Sequence, residues 1–233
     1  MIMVLGYLLP ANGFTALAAE GTSSVGLEPA PIGKTIVEKV FIDDAGPNDL
    51  DTQLPGSVSF VNGENEGSRA VKGYFSVNDP ELVVTKAMTE GNAYTVALRV
   101  YAPSATLDTN FNMLASIGDY SLGMRLDLSR VQAFISDGSN WFNANGPRVA
   151  DSFGDNWHDI AVTYSGTTLT LIVDGAVVAV NEDTTDNVPN TGIPFSLGYD
   201  PTTSRYNQDL AFEHVMVYSE ALTAEELAAA HTA

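Results

Sequence analysis

The side chains with chemical reach in this sequence are its carboxylates, its three histidines and a group of aromatics interleaved with amides and guanidinium groups. Acid–base work on a glycosidic bond needs two carboxylates facing one another across it, about 5–9.5 Å apart depending on stereochemistry. Acidic neighbours occur at Asp43-Asp44, Asp49 with Asp51, Glu64 with Glu66 and Glu225-Glu226. Each lies in a polar stretch or at a helix start, where solvation or the helix dipole accounts for it. His158 adjoins Trp157, His214 lies in an apolar run and His231 is near the chain end, with no G-x-S-x-G serine for any of them to activate. The absence of cysteine removes disulfides, thiolate catalysis and Cys-ligated zinc together. No catalytic constellation is legible, which points to binding over transformation.

The aromatics offer a binding chemistry. In Phe134-Ile135-Ser136-Asp137-Gly138-Ser139-Asn140-Trp141-Phe142-Asn143, a hairpin with a four-residue loop sets Ile135 opposite Phe142 and Ser136 opposite Trp141. With Ile135 and Phe142 toward a core, Phe134, Trp141 and Asn143 face the other way. Arg125, between the core-type Met124 and Leu126, shares that outward face. A Trp beside Arg and Asn on a sheet surface suits a sugar, because the ring stacks on pyranose C–H faces while amide and guanidinium groups pair with hydroxyls. Tyr120, Tyr199, Asp200, Arg205 and Tyr206 are placed to rim the same face. The competing reading is that Trp141 only covers the hairpin or a second sheet. Trp157 is assigned to the core.

These groups need strands to position them, and the sequence alternates accordingly. Leu122, Met124, Leu126 and Leu128 repeat with period two, as do Val131, Ala133 and Ile135, then Ile160, Val162 and Tyr164, then Leu169, Leu171 and Val173. Asp137-Gly138, Ser165-Gly166 and Asp174-Gly175 fall between such runs where hairpin turns belong. Only the end reads as helical: Thr223-Ala224-Glu225-Glu226 has capping-box spacing ahead of Leu227 and an alanine run. The expected fold is all-β, a two-sheet antiparallel jelly-roll sandwich with a short C-terminal helix, and 233 residues suffice for one such core. Residues 1–19 open on an apolar run and close on Ala16-Leu17-Ala18-Ala19, which predicts a signal peptide, with an N-terminal strand of the domain as the alternative. Residues 20–33 have linker composition, leaving 34–233 as the domain. No stretch reaches the ~18 apolar residues of a membrane helix. Ten Lys+Arg against 29 Asp+Glu give a net charge of −19, a field that repels nucleic acid and anionic lipid.

The run from Trp157 to Gly175, WHDIAVTYSGTTLTLIVDG, resembles the signature strand pair of laminin G-like jelly-roll domains, within the concanavalin A-like lectin/glucanase fold and of the bacterial secreted type. Phe195 to Asp200 and Phe212 to Leu227 resemble the strands and helix that follow, and Gly67 to Val71 and Tyr94 to Val100 fit the early strands more loosely. The resemblance implies a fold that hosts lectins, adhesion modules and glycanases alike. Glycanases of this fold carry an E-x-D-x-x-E strand, absent here, so a concanavalin A-fold glycanase is disfavoured. The resemblance also implies one Ca²⁺, for which Glu213, Asp209 and the backbone near Gly73 are candidates, although Lys72 stands where the family usually has an Asp. Solvated surface acids are the alternative. The expected function is a non-catalytic carbohydrate-binding module, secreted or at the cell surface. It would bind a glycan or polysaccharide as an accessory domain of a glycoside hydrolase. The alternative is a calcium-supported adhesion module with a protein partner.

Overall fold

Alternation of apolar and polar residues decides the architecture, because period two gives each strand one face to bury. The computed structural model describes residues 37–43, 46–47, 58–77, 93–107, 112–117, 122–127, 130–147, 153–185, 188, 195–200 and 203–231. The expected leader at 1–19, the linker at 20–33 and Tyr120 lie outside them.

Strands in chain order are β1 (Val37–Asp43), β2 (Gly46–Pro47), β3 (Ser59–Asn62), β4 (Arg69–Lys72), β5 (Phe75–Val77), β6 (Tyr94–Tyr101), β7 (Asn112–Ile117), β8 (Leu122–Asp127) and β9 (Arg130–Ser136). They continue as β10 (Trp141–Asn145), β11 (Trp157–Tyr164), β12 (Leu169–Val173), β13 (Ala176–Asn181), β14 (Phe195–Leu197), β15 (Tyr199–Asp200), β16 (Arg205–Tyr206) and β17 (Ala211–Tyr218), followed by helix α1 (Ala224–His231). A nine-stranded sheet runs β13-β12-β11-β6-β17-β1-β2, with β4 joining β17 and β3 joining β4. A six-stranded sheet runs β10-β9-β8-β7-β14-β5, and β15 and β16 form a separate two-stranded ribbon. The strand pairings are antiparallel throughout these described segments.

The expected alternation is met at the described positions, Leu128 lying outside them. Val96, Leu98 and Val100 of β6, Ile160, Val162 and Tyr164 of β11, and Leu169 and Leu171 of β12 share one core cluster with Leu122, Met124 and Leu126 of β8 and Val131, Ala133 and Ile135 of β9. Phe75 of the smaller sheet meets Phe212 of the larger edge-to-face, centroids 6.4 Å apart, tying the layers together. Helix α1 covers the back of the larger sheet, where Leu222 and Leu227 pack with Ala97, Ala161, Ile172 and Met216. Its start is a reciprocal capping box: Glu226 N–H donates to Thr223 Oγ1 at 3.2 Å, and Thr223 N–H donates to Glu226 Oε2 at 2.8 Å. At the Asp174-Gly175 turn both residues have positive φ, 49° and 75°, as a two-residue type I′ hairpin requires.

Trp157 corrects the expectation. Ile160, Val162 and Tyr164 point inward, so the odd-numbered side chains of β11 point outward, and Trp157 is half-buried against Tyr101 at 5.6 Å instead of in the core. Phe212→Ala should therefore cost about 3–5 kcal/mol in urea denaturation, the usual toll for emptying a buried aromatic site, and Trp157→Ala clearly less. Equal losses would contradict this division.

Candidate functional site

The β9–β10 hairpin adopts the expected register, with Trp141 opposite Ser136, Phe142 opposite Ile135 and Asn143 opposite Phe134. Its turn is held by Asp137, whose Oδ1 accepts the N–H groups of Ser139 at 2.8 Å and Asn140 at 2.6 Å, while Oδ2 accepts Asn140 Nδ2–H at 3.0 Å. These bonds, that from the Asn140 side chain foremost, hold the Asp137 carboxyl below the ordinary carboxylate range. Gly138, at φ 88°, supplies the left-handed residue the turn needs. On the sheet edge, Asn181 Nδ2–H donates to the Asn143 carbonyl at 3.0 Å, bridging β13 of the large sheet to β10 of the small one.

The outward face carries a tilted aromatic pair, its ring planes 58° apart. Trp141 is 52% exposed and lies 5.7 Å from Phe134, which is only 3% exposed. Phe134 is outward by parity yet buried, because it lies flat across the sheet. Its β8 partner is Gly123, and a Cβ there would meet the Phe134 ring at 2.1 Å. On the next outward position of β8 the Arg125 guanidinium sits 5.1 Å from the Phe134 centroid.

The β15–β16 ribbon forms the facing wall. Ser116 Oγ–H donates to the Tyr199 carbonyl at 2.7 Å, and Asn207 Nδ2–H donates to Asn112 Oδ1 at 2.5 Å, seating the ribbon on β7. Asp200 is fully buried, with Oδ2 accepting the Thr203 hydroxyl at 2.6 Å. This fixes the turn that presents Thr203 and Arg205.

Between the walls is a cleft of about 480 Å³ lined by Arg125, Gln132, Phe134, Trp141, Asn143, Thr203 and Arg205. Five of the sequence-derived candidates, Trp141, Arg125, Asn143, Phe134 and Arg205, meet there. Tyr199, Asp200 and Tyr206 do not line it: Asp200 acts inside the ribbon, and Tyr74 stacks on Tyr206 at 4.7 Å and packs against Tyr199 at 5.7 Å. Gln132 and Thr203 escaped the sequence reading. Gln132 shares the outward parity of Phe134, a usable signal, whereas nothing in the sequence singles out Thr203. The Gln132 amide donates to Asn145 Oδ1 at 2.5 Å and leaves its buried Oε1 without a hydrogen-bond partner.

The calcium candidates lie elsewhere and are engaged by cations of the chain. Lys72 Nζ contacts Asp209 Oδ1 at 2.9 Å. Glu213 is fully buried, with Oε1 accepting Glu64 N–H at 3.2 Å and Oε2 lying 3.3 Å from Arg99 Nε. The same guanidinium pairs with Glu64 and, at 2.7 Å, with Asp159. Gly73, at φ 127°, donates its N–H to the Leu210 carbonyl. Among the described residues no group of three or more His, Asp and Glu is arranged to hold a metal ion. A donor set already occupied by Lys72 and Arg99 does not fit Ca²⁺.

A family model described as the concanavalin A-like lectin/glucanases superfamily, Laminin_G_3, matches residues 69–228. No curated protein sequence matches the chain. Among solved structures, domain 4 of AbnA, an extracellular GH43 arabinanase from Geobacillus stearothermophilus in complex with arabinotriose, is similar with a TM-score of 0.55 at 15% identity, over 82% of this chain and 98% of that one. The CBM40 of Ruminococcus gnavus IT-sialidase, bound to α2,3-sialyllactose, gives 0.53 at 15% identity, over 75% and 98%. The binding domain of Paraclostridial Mosquitocidal Protein 1 gives 0.61 at 14% identity, over 82% of this chain and 50% of that one, so the chain spans half of its length. At such identities the likeness is one of fold.

Two outcomes follow from the aromatic pair and its turn, both readable by ¹⁹F NMR of the 5-fluorotryptophan protein, which has two resonances. Gly123→Ala forces the Phe134 ring aside, so it should shift the Trp141 resonance, leave that of Trp157 in place and destabilise by about 1–3 kcal/mol. Because the Asp137 carboxyl is lowered, its contribution to the turn is complete above the unfolded value of about 3.9 and lost as pH falls through the lower folded value. The Trp141 resonance should thus stay constant from pH 7 to about 4 and move only below; movement near pH 6 would assign the turn to another group.

Proposed function

Since the chain belongs to the laminin G-like family of the concanavalin A-like lectin/glucanases superfamily, we propose that it is a non-catalytic carbohydrate-binding module, secreted or displayed at the cell surface, serving as an accessory domain of a glycoside hydrolase. The observation that carries the reading is the half-exposed Trp141 ring at a cleft into which amide, hydroxyl and guanidinium groups converge. A volume of about 480 Å³ falls in the range of small-ligand sites, ~300–1,000 Å³. A ring of this kind stacks on the apolar face of a pyranose, and Asn143 and Thr203 offer both donors and acceptors to its hydroxyls. A protein-docking face would instead need a broad apolar patch, and this cleft is polar around one ring. Solved structures of similar fold include domains bound to arabinotriose and to sialyllactose, which supports sugar binding as the general role. Among its described lining residues the cleft has no carboxylate pair of the kind glycosidic hydrolysis uses. No helix among the described residues is long and apolar enough to cross a membrane.

A glycan array followed by calorimetry tests this. Trp141→Ala should weaken the best array ligand by about 1–3 kcal/mol, a typical anchor contribution, with the melting temperature nearly unchanged. Calcium and chelator should give the same Kd. Undiminished affinity in Trp141→Ala would move the site away from this cleft.

A further inference from the structure

The β15–β16 ribbon has two faces, and the cleft uses only one of them. Tyr199 pairs with Tyr206 and Asp200 with Arg205, so alternation puts the two tyrosines on one face and Arg205 on the other. Arg205 lines the cleft, while Tyr206, the next residue of β16, is 54% exposed. Resting on the reading of this cleft as a glycan site, we infer that its ligand is an extended chain and not a single terminal sugar. The chain is a linear oligosaccharide that stacks on Trp141, leaves the cleft over the ribbon and makes a second ring contact at Tyr206.

The tyrosine face holds that ring in place. Gly198, at φ 64°, joins β14 to β15, and a Cβ there would meet the Gly73 carbonyl oxygen at 2.8 Å and the Tyr74 Cβ at 3.2 Å. Glycine permits so close an approach at that backbone angle, and a side chain does not. The approach is fixed by the Gly198 N–H, which donates to the Leu114 carbonyl at 3.0 Å, and by the Asn207 N–H, which donates to the Gly198 carbonyl at 2.9 Å. Tyr74 is thereby seated beside the ribbon, where its ring stacks on Tyr206 with planes 27° apart. Stacking braces the Tyr206 ring, yet the residue stays more than half in water.

Distance selects the ligand. Among the described residues five large apolar side chains are at least half exposed, and two of these are Trp141 in the cleft and Tyr206 behind its ribbon wall. Thr203, Ser204, Arg205 and Tyr206 are exposed without interruption, so the ribbon is open to solvent along the stretch that joins cleft wall to ring. Trp141 opens β10, and the ribbon is seated on β7, three strands away in the smaller sheet. Three strand spacings come to about 14 Å. One sugar ring cannot touch both aromatics across that span, whereas several linked rings can. Each end offers an aromatic face, and the Tyr206 hydroxyl both donates and accepts. Once a chain is held at Trp141, its contact with Tyr206 is intramolecular and adds affinity at a high effective concentration.

Calorimetry on the full chain tests this with arabino-, cello-, xylo- and galacturono-oligosaccharides, each as the disaccharide and the hexasaccharide. In at least one series the hexasaccharide should bind at least about tenfold more tightly, equivalent to ~1.4 kcal/mol. Tyr206→Ala should remove most of that gain while the disaccharide Kd and the melting temperature stay unchanged, and Tyr206→Phe should keep it. Trp141→Ala should weaken both lengths together. A disaccharide bound through Trp141 with no gain in the hexasaccharide, or a gain that survives Tyr206→Ala, would overturn this inference and leave the glycan reading standing. Loss of both lengths in Tyr206→Ala would make the ring a support of the cleft and overturn it likewise. Hexasaccharides bound in no series would also overturn it, and a blank glycan array beside them would overturn the glycan reading too.

Discussion

The cleft depends on one ring lying across one glycine. Phe134 is directed outward by the alternation of β9, and an outward phenylalanine would ordinarily stand in solvent. Gly123, its cross-strand partner, lacks the Cβ that would fill the space, so the ring folds down onto the sheet and is buried there. Cross-strand contact of an aromatic with glycine covers exposed backbone and so stabilises a position that glycine alone would weaken. The flattened ring then serves as a floor: Arg125 lies over it and Trp141 leans on it. With any larger residue at 123 the floor tilts, and the two side chains resting on it lose their common support.

Electrostatics impose the second constraint. An excess of acid this large must be accommodated, and the structure does so by gathering carboxylates around few cations. Arg99 serves Glu64, Asp159 and the wholly buried Glu213 at once. A buried carboxylate without such a partner would carry a heavy desolvation penalty. This arrangement occupies the positions where the family resemblance raised the prospect of calcium, and a fixed guanidinium there needs no metal to balance the acids.

Most of the fold was legible in the sequence because it rests on local rules: period-two runs, Asp-Gly turns and a capping box each act over a few residues. The hairpin register was legible for the same reason, and it carried Trp141, Asn143 and Arg125 to one face. Burial of individual aromatics was harder to read. Trp157 looked like core from its neighbours, whereas counting parity from Ile160, Val162 and Tyr164 puts it outside. Phe134 was read as outward, but its burial depends on a glycine in a different strand. Arg205 arrived at the cleft through the fold of the ribbon and the inward turn of Asp200, a tertiary event with no periodic signature. For the same reason Tyr199 and Tyr206, named with it, face Tyr74 instead. Gln132 lay within reach of the parity argument, and Thr203 did not.

The bond from Asn181 to the Asn143 carbonyl has a meaning beyond bracing the hairpin. Strand β10 is an edge strand, and edge strands invite pairing with the same strand of another copy. A module that gathers on a long polymer is brought to very high local concentration along it, the condition under which such pairing is most dangerous. By taking up an outward carbonyl beside the cleft and drawing β13 alongside, the Asn181 amide seals that edge. In the binding role proposed for this chain, copies brought together on one glycan would meet at β10 a braced edge in place of a free one.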